Sequence, residues 1–463
     1  MTVLADPLAH PAGTPIGADR PDAAHAELTE VDGRTGCRFG VDGRRPDSTG
    51  AAEAEVVERA LTLAEQIGCP VLWVVHSVAV DSDAGGLDAL VAWGRVAARA
   101  VRLSGVVPLL LAVTGPVHGS LTPLLGLADH VVMTRGATAY LNGPGPVGTV
   151  TGLRADPESI GGSRVHATRS GLASLVGDDE DDALALLADL LSYLPDNHLS
   201  DPPRWDGGDP AERSCEQAAD IVPAAATWAY DVRAVLTDIF DQGSVLEVHC
   251  EWAPNLVCAY ARLAGRAVAV VANQPAVRAG TIDIEASCKG ARHVHGADAL
   301  GVPIVTFVDT PGYEPGRDLE WRGMIRHGAK LVHAYAGATV PRLGVIVRKA
   351  YVGAYIVRDS QTMGNDLTVA WPTAEVAVMG AAGAVAILNR RQIDEAADGD
   401  ARRAELEDEY RVTFLSPRIA AERGLVDQVI DPADTRRVLA AALRRLVTKR
   451  PALPHRRHAN EPL

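Results

Sequence analysis

One stretch of this chain maps onto another at a fixed offset. Gly68-Cys69-Pro70 corresponds to Gly301-Val302-Pro303, and Val107-Pro108 to Val340-Pro341, an offset of 233 from 70 to 303 and from 108 to 341. The spacing between the two prolines is the same in both places, so no insertion intervenes. A period this long exceeds the roughly 20–50 residues of solenoid repeats and points to a duplicated domain. The offset also lays His118-Gly119-Ser120-Leu121 on Tyr351-Val352-Gly353-Ala354. Each half therefore carries a turn of small residues at the same distance beyond its second proline, where backbone amides can face a ligand. Two related sites serving one reaction is the first expectation.

Hydropathy patterning gives the repeat its architecture. Val56, Val57, Ala60, Leu61, Ala64 and Ile67 recur at helical spacing and predict a helix over Ala51 to Ile67, ended by Gly68. The apolar run from Pro70 to Val78 predicts a strand covered on both faces, followed by a helix over Leu87 to Leu103 and a strand over Val107 to Thr114. Strand, helix, strand in this order means parallel pairing through a right-handed crossover. The order repeats as a helix over Ile284 to Leu300, a strand over Val302 to Val308, a helix over Asp318 to Ala338 and a strand over Val340 to Val347. Strands over Leu246 to Trp252, Leu256 to Leu263 and Ala267 to Ala272 give the second half an antiparallel start. A helix is predicted over Asp179 to Leu194, and the Pro, Asp, Gly and Asn-rich stretch 195–214 reads as a linker. Residues 1–35 lack periodicity and read as a loosely ordered leader, which leaves a first domain over 36–214 and a second over 215–463 with a basic tail.

Composition excludes several classes. A formal charge of −15 repels phosphate backbones, and 4% aromatic residues offer few platforms for base stacking, so nucleic acid is not an expected partner. No apolar run is long enough to span a bilayer, because Pro108, Gly115 and Pro116 interrupt the best one. The opening MTVLADPLAH lacks the basic region and apolar core of a signal peptide, so a cytoplasmic protein with no membrane partner is expected. The six cysteines form no C-x-x-C pair and read as reduced and structural.

Three motifs match familiar patterns without the context their chemistry needs. Gly143-Pro144-Gly145-Pro146-Val147-Gly148 spells G-x-G-x-x-G, but its two prolines argue for a shaped loop rather than a dinucleotide-binding helix start. His293 and His295 lie two apart and, if helical, face different sides, so with Cys288 they do not make a metal site, and no metal is expected. His118-Gly119-Ser120 lacks the G-x-S-x-G elbow of a serine nucleophile. The repeated turn has a simpler use: two N–H donors aimed at a carbonyl oxygen stabilise an oxyanion or enolate, each worth about 3 kcal/mol of barrier. The alternative, that Gly119 and Gly353 only permit tight packing, stays open on spacing alone.

The second half carries a specific resemblance. Val271-Ala272-Asn273-Gln274-Pro275, Gly280 to Ser287, Phe307-Val308-Asp309-Thr310-Pro311-Gly312-Tyr313, Arg326-His327-Gly328-Ala329-Lys330, Arg348-Lys349-Ala350-Tyr351 and Ala370-Trp371-Pro372 through Gly380 resemble the carboxyltransferase β-subunit of biotin-dependent acyl-CoA carboxylases. The likeness spans residues 225–440 and is looser between Ser104 and Leu194. It implies an α/β fold of two tandem crotonase-like domains, each a parallel-sheet ββα superhelix. It further implies an enzyme that moves carboxylate from carboxybiotin to the α-carbon of a coenzyme A thioester. The biotin would be presented by a separate carrier on a biotin carboxylase/biotin carrier α-subunit. The chain itself would assemble as a homo-oligomer (dimer or hexamer) or with a paralogous β-subunit. By matching position, Gly353 and Ala354 would hold the biotin oxygen, Gly119 and Ser120 the thioester enolate, and His118, Tyr351 and Ile356 would line the substrates. Ile356 stands where propionyl-preferring members tend to carry Asp, which implies acetyl-CoA giving malonyl-CoA.

The departures from the family pattern gather in the first half. The family's arginine and glycine pair after the first buried strand is replaced by Ser77 to Gly85, its Ala-Gly-Gly-Ala turn by His118-Gly119-Ser120-Leu121, and a glycine-rich segment by Arg44 to Gly50. On the biotin side only Val352 replaces a glycine of the turn. Two further readings follow from these changes: a biotin-independent malonyl-type thioester decarboxylase with His118 as proton donor, and a non-catalytic subunit supporting a paralogous carboxyltransferase.

Overall fold

The structure, a computed structural model, describes residues 14–15, 24–42, 50–79, 86–119, 122–223, 225, 227–351, 353 and 357–462. It divides into two compact units. The first comprises the described residues up to Pro203 together with Val248–Trp252 and Ala299–Gly301; the second comprises Arg204–Glu247, Ala253–Asp298 and the described residues from Val302 onward.

In the first unit, strands β1 (Thr14–Pro15), β2 (Ala24–Val31), β3 (Arg34–Asp42), β4 (Val71–Ala79), β5 (Leu109–Val113), β7 (His130–Thr134) and β9 (Leu175–Gly177) lie side by side in that order. β1, β2 and β3 pair antiparallel and the rest pair parallel. A short side layer is formed by β6 (Pro116–His118), which pairs in parallel with the end of β4 and with β8 (Thr138–Tyr140). Helix α1 (Ala51–Ile67) forms because Ala54, Val57, Ala60, Leu61 and Ala64 fall on one face, all buried, and Gly68 closes it in the left-handed conformation with its N–H on the Ala64 carbonyl. Helix α2 (Gly86–Leu103) makes the crossover from β4 to β5, buries Ala92, Trp93, Val96 and Ala100 and packs beside α1.

The second unit repeats the plan. Strands β10 (Leu246–Val248), β11 (Leu256–Leu263), β12 (Arg266–Asn273), β13 (Ile304–Thr310), β14 (Arg342–Tyr351), β15 (Leu367–Ala370) and β17 (Gln428–Val429) are neighbours in that order, with β16 (Glu375–Ala377) paired to the far end of β14. From β12 onward the pairing is parallel. The helix Ile284–Ala299 stands to β12 and β13 as α1 stands to β3 and β4. The register of β13 on β14 slips between Val308, which faces Ile346, and Thr310, which faces Ala350. This bulge frees the last residues of β14 to pair with β16, Lys349 opposite Glu375 and Tyr351 opposite Ala377.

Several expectations are corrected. The leader over 1–35 was expected to be loosely ordered, yet β2 and the start of β3 lie within it and form a hairpin whose two-residue turn is Asp32-Gly33, with φ of 52° and 75°. Its counterpart joins β11 to β12 through Ala264-Gly265, with φ of 51° and 76°, 232 residues further on from Gly33 to Gly265. Asp-Gly is a strong hairpin signal, and the polar composition around it masked that signal. The boundary moves from 214/215 to 203/204. The supposed linker is bound into the second unit: the Trp205 N–H donates to the Gly265 carbonyl, and the carbonyls of Asp209 and Pro210 accept from the fully buried Arg436. The helix expected over Asp318 to Ala338 breaks into Arg317–Trp321 and Met324–Gly337, because Gly323 adopts φ 94°. The strand expected over Leu246 to Trp252 stops at Val248, where His249 turns into the left-handed region with φ 54°. The Gly143 to Gly148 segment is a helix, Pro144–Thr151, with Gly143 as N-cap and Pro144 at its first position, where a missing N–H costs nothing.

Candidate active site

Each unit places its repeated turn at the end of a parallel strand. In the first unit β6 ends at His118, whose ring stacks on Tyr140 of the adjacent β8, the centroids 4.9 Å apart and the planes 4° off parallel. Burial lowers the His118 pKa, which keeps its ring neutral at pH 7, and among the described residues its Nδ1 has no hydrogen-bond partner. Gly119 follows with φ 83°, a conformation that favours glycine. Its N–H donates to the Tyr140 carbonyl at 3.1 Å, extending the β6 to β8 ladder, and its carbonyl accepts from the Thr122 N–H and hydroxyl. The expectation that Gly119 offers a free donor is thus corrected: its amide is already spent on the sheet. Ser120, the other expected donor, lies outside the described residues, as do residues 80–85 and 43–49 of the departures noted above.

In the second unit the turn follows β14. Tyr351, the last residue of that strand, is nearly buried and its hydroxyl donates to the Glu375 carboxylate on the facing β16. Burial, reinforced by Glu375, drives the Tyr351 pKa far above the ordinary phenol value, so the hydroxyl remains a donor at any working pH. Its ring lies against Gly380, where an added Cβ would meet the Tyr351 Cε2 at 3.0 Å. Gly353 is half-buried in helical backbone, and a Cβ built there comes no closer than 4.0 Å to any neighbour, at Tyr313 Cε2. A Cβ on Gly119 meets nothing within 4 Å among the described residues. No close contact among them confines either glycine. Ala354 and Ile356 lie outside the described residues, as does Val352.

Behind the second turn sits a charge cluster that sequence reasoning passed over. Asp309, at the end of β13, accepts from Arg348 Nε at 3.0 Å and from the Lys349 N–H at 3.2 Å, with Lys349 Nζ 3.7 Å away. Arg348 Nη1 donates to the carbonyls of Ala225 and Trp228, both at 2.9 Å, and its guanidinium lies over the Tyr230 ring at 5.1 Å. The cluster thus pins the strand that presents Tyr351. Its members stood in the Phe307 to Tyr313 and Arg348 to Tyr351 motifs at the ends of two strands predicted to pair, and the fold shows their side chains in contact. His293, once weighed as a ligand, contacts the Ala259 carbonyl at 3.1 Å, and burial lowers its pKa to about 4.

Comparison with known proteins bears on this arrangement directly. Residues 28–461 match the carboxyl transferase domain family. The chain belongs to that family. This carboxyl transferase is 44% identical over 436 residues to the propionyl-CoA carboxylase carboxyltransferase subunit of Haloferax mediterranei, covering 94% of this chain and 84% of that one. It is 43% identical over 464 residues to the propionyl-CoA carboxylase beta chain of Saccharopolyspora erythraea, covering 97% and 85%. Among solved structures it superposes on a transcarboxylase 12S hexamer with methylmalonyl-coenzyme A and methylmalonic acid bound, with a TM-score of 0.93 at 37% identity, over 99% of this chain and 91% of that chain. The resemblance read from the sequence is therefore borne out for the family, for the tandem crotonase-like α/β fold, and for the class of enzyme, an acyl-CoA carboxyltransferase of the biotin-dependent type. Among the described residues no helix is long and apolar enough to cross a membrane.

Proposed function

We propose that this carboxyl transferase moves carboxylate from biotin on a partner's carrier domain to the α-carbon of a short acyl-CoA, with propionyl-CoA as the preferred acceptor. The observation that carries the reading is the turn after β14, where Gly353 leaves open backbone beside a tyrosine held by Glu375. Carboxybiotin supplies the carboxylate. The chain's own contribution is to bind and to stabilise charge: by the family resemblance, Gly353 and Ala354 would hold the biotin oxygen, and the turn at Gly119 and Ser120 the thioester oxygen. The Gly119 N–H is held by the Tyr140 carbonyl, so the proposal for the thioester rests on Ser120. Each such donor is worth about 3 kcal/mol of barrier. No acidic or basic side chain is needed at the reacting atoms.

The acceptor expected from Ile356 was acetyl-CoA, whereas both relatives described above are named for propionyl-CoA. Their identity over nearly the whole chain outweighs a single position, and the wider acyl group is proposed. The partners proposed are a biotin carboxylase/biotin carrier α-subunit and further copies of this chain, the latter supported by the hexamer of the structural neighbour.

The test mixes the purified protein with a biotinylated carrier, its biotin carboxylase, ATP and labelled bicarbonate, and offers acetyl-CoA and propionyl-CoA side by side. Label should appear on propionyl-CoA at the higher kcat/KM. Label on neither acceptor, with carbon dioxide released from methylmalonyl-CoA or malonyl-CoA, would replace this reading with the decarboxylase. Neither activity, with tight binding of a paralogous subunit, would make the chain a scaffold.

A further inference from the structure

Tyr313 lies beside the turn that follows β14, and its hydroxyl does not account for its place there. The residue comes just after β13, with its backbone fixed on both sides: the Ile282 N–H donates to the Gly312 carbonyl at 3.1 Å and the Glu314 N–H to the Ile282 carbonyl at 3.0 Å. The side chain is half-buried, and its hydroxyl has no hydrogen-bond partner among the described residues. Burial raises its pKa to about 12, so the phenol stays protonated at working pH and serves as neither base nor anion.

The ring itself is held between two glycines. On one side lies Gly328, where an added Cβ would come within 3.0 Å of the Tyr313 hydroxyl oxygen and 3.2 Å of Cε1 and Cζ. Gly328 is buried inside the helix Met324–Gly337, a setting in which glycine is disfavoured against alanine, and its φ is not positive. Backbone conformation therefore does not call for glycine at 328, whereas room for the tyrosine ring does. On the other side, Cε2 lies 4.0 Å from the point where a Cβ on Gly353 would sit, and apart from the chain neighbours of Gly353 no other described atom comes as close. A ligand seated on the Gly353 backbone takes the volume that a side chain would have used, so the side chain it meets there is Tyr313.

We infer that the Tyr313 ring is the wall against which the bicyclic ring of biotin rests, a contact that depends on the placement of biotin at Gly353 proposed above. The chemistries match. Away from its ureido group the bicycle is hydrocarbon and a thioether sulfur, and both pack favourably on an aromatic ring. Backbone pairing to Ile282 and the cleft at Gly328 put the wall in position before the ligand arrives, which spares binding the cost of ordering it.

The test follows carboxylate from methylmalonyl-CoA to free biotin and, in parallel, to the biotinylated carrier, the proposed reaction run backwards. Tyr313→Ala should raise the KM for biotin about tenfold and leave the methylmalonyl-CoA KM within about twofold, as loss of one aromatic contact to a single substrate does. Tyr313→Phe should restore the biotin KM lost in Tyr313→Ala, because the ring and not the hydroxyl makes the contact. Gly328→Ala, which displaces the ring from outside the site, should raise the biotin KM as well. An unshifted biotin KM in Tyr313→Ala overturns the contact, as does an equal rise in both KM values, which would mark a structural role, or a Tyr313→Phe variant as impaired as Tyr313→Ala. Should Tyr313→Ala fail to fold, the biotin KM of Gly328→Ala decides. A wild-type protein that carboxylates neither form of biotin removes the placement of biotin at Gly353 and the contact with it, whereas an active wild type with unshifted variants removes only the contact.

Discussion

Arg348 Nε lies 3.0 Å from Asp309 Oδ2 with both side chains at most 2% exposed, which makes a buried ion pair between neighbouring parallel strands. The arginine also holds the carbonyls of Ala225 and Trp228, so the pair joins three segments of the second unit. Removing one member strands the other charge. Asp309→Ala or Arg348→Met should each cost about 3–5 kcal/mol, read from the urea midpoint of the second unit. A cost below about 1 kcal/mol for Arg348→Met would show that Lys349 takes over the partnership with Asp309.

Asp359 gives stability a pH signature. Burial raises its pKa from 3.8 to about 6 despite Arg342 beside it. The folded protein therefore binds this proton more tightly than the unfolded chain, so the contribution is fully present below about pH 4 and is lost as pH rises through 6. From those two values the loss is about 3 kcal/mol. Urea unfolding of wild type and Asp359→Asn at pH 4.5 and pH 7 should show the wild type losing ground to the variant at the higher pH. An unchanged difference would mean the carboxyl titrates normally.

The two hairpin turns differ in what surrounds them. A Cβ at Gly33 meets only the tip of Glu30 at 3.9 Å, whereas at Gly265 it would strike the Trp205 carbonyl oxygen at 2.3 Å. Both positions have φ near 75°, which costs an alanine about 1–2 kcal/mol. Gly33→Ala should cost about that much. Gly265→Ala should add about 1–3 kcal/mol of overpacking, measured by thermal melts of the paired variants. Equal losses would mean that the Trp205 segment yields without strain.

The Tyr351 hydroxyl is the donor that answers Glu375. A hydrogen bond to a charged group is worth about 1.5–3 kcal/mol of stability, so Tyr351→Phe should loosen the turn at Gly353 and slow carboxyl transfer. Under the proposed function the loss falls on kcat and on the KM for biotin, leaving the acyl-CoA KM unchanged. An effect confined to the acyl-CoA KM would place Tyr351 on the other substrate.

Much of this was legible in the residues. The helix Ala51–Ile67 and the strand Leu256–Leu263 appear with the bounds their periodicity predicts, because each buries one clean face or both. The duplication was legible too, and applied consistently it predicts β2 and β3 from β11 and β12. That hairpin was missed because a polar composition outweighed the Asp-Gly turn signal. The state of the Gly119 amide was not legible: its partner, the Tyr140 carbonyl, comes from a strand two elements later, and spacing carries no information about it.

The paired hairpins also bear on how the chain reaches its native state. Each closes over two residues, so β2 finds β3, and β11 finds β12, between segments adjacent in sequence. Such pairings form on the microsecond scale, whereas the parallel strands must wait for a crossover helix between them. The earliest template is therefore complete once residue 42 has left the ribosome, and a second is built independently some two hundred residues later. Synthesis from the N-terminus hands the growing chain two separate nuclei in sequence, and neither has to wait for the other.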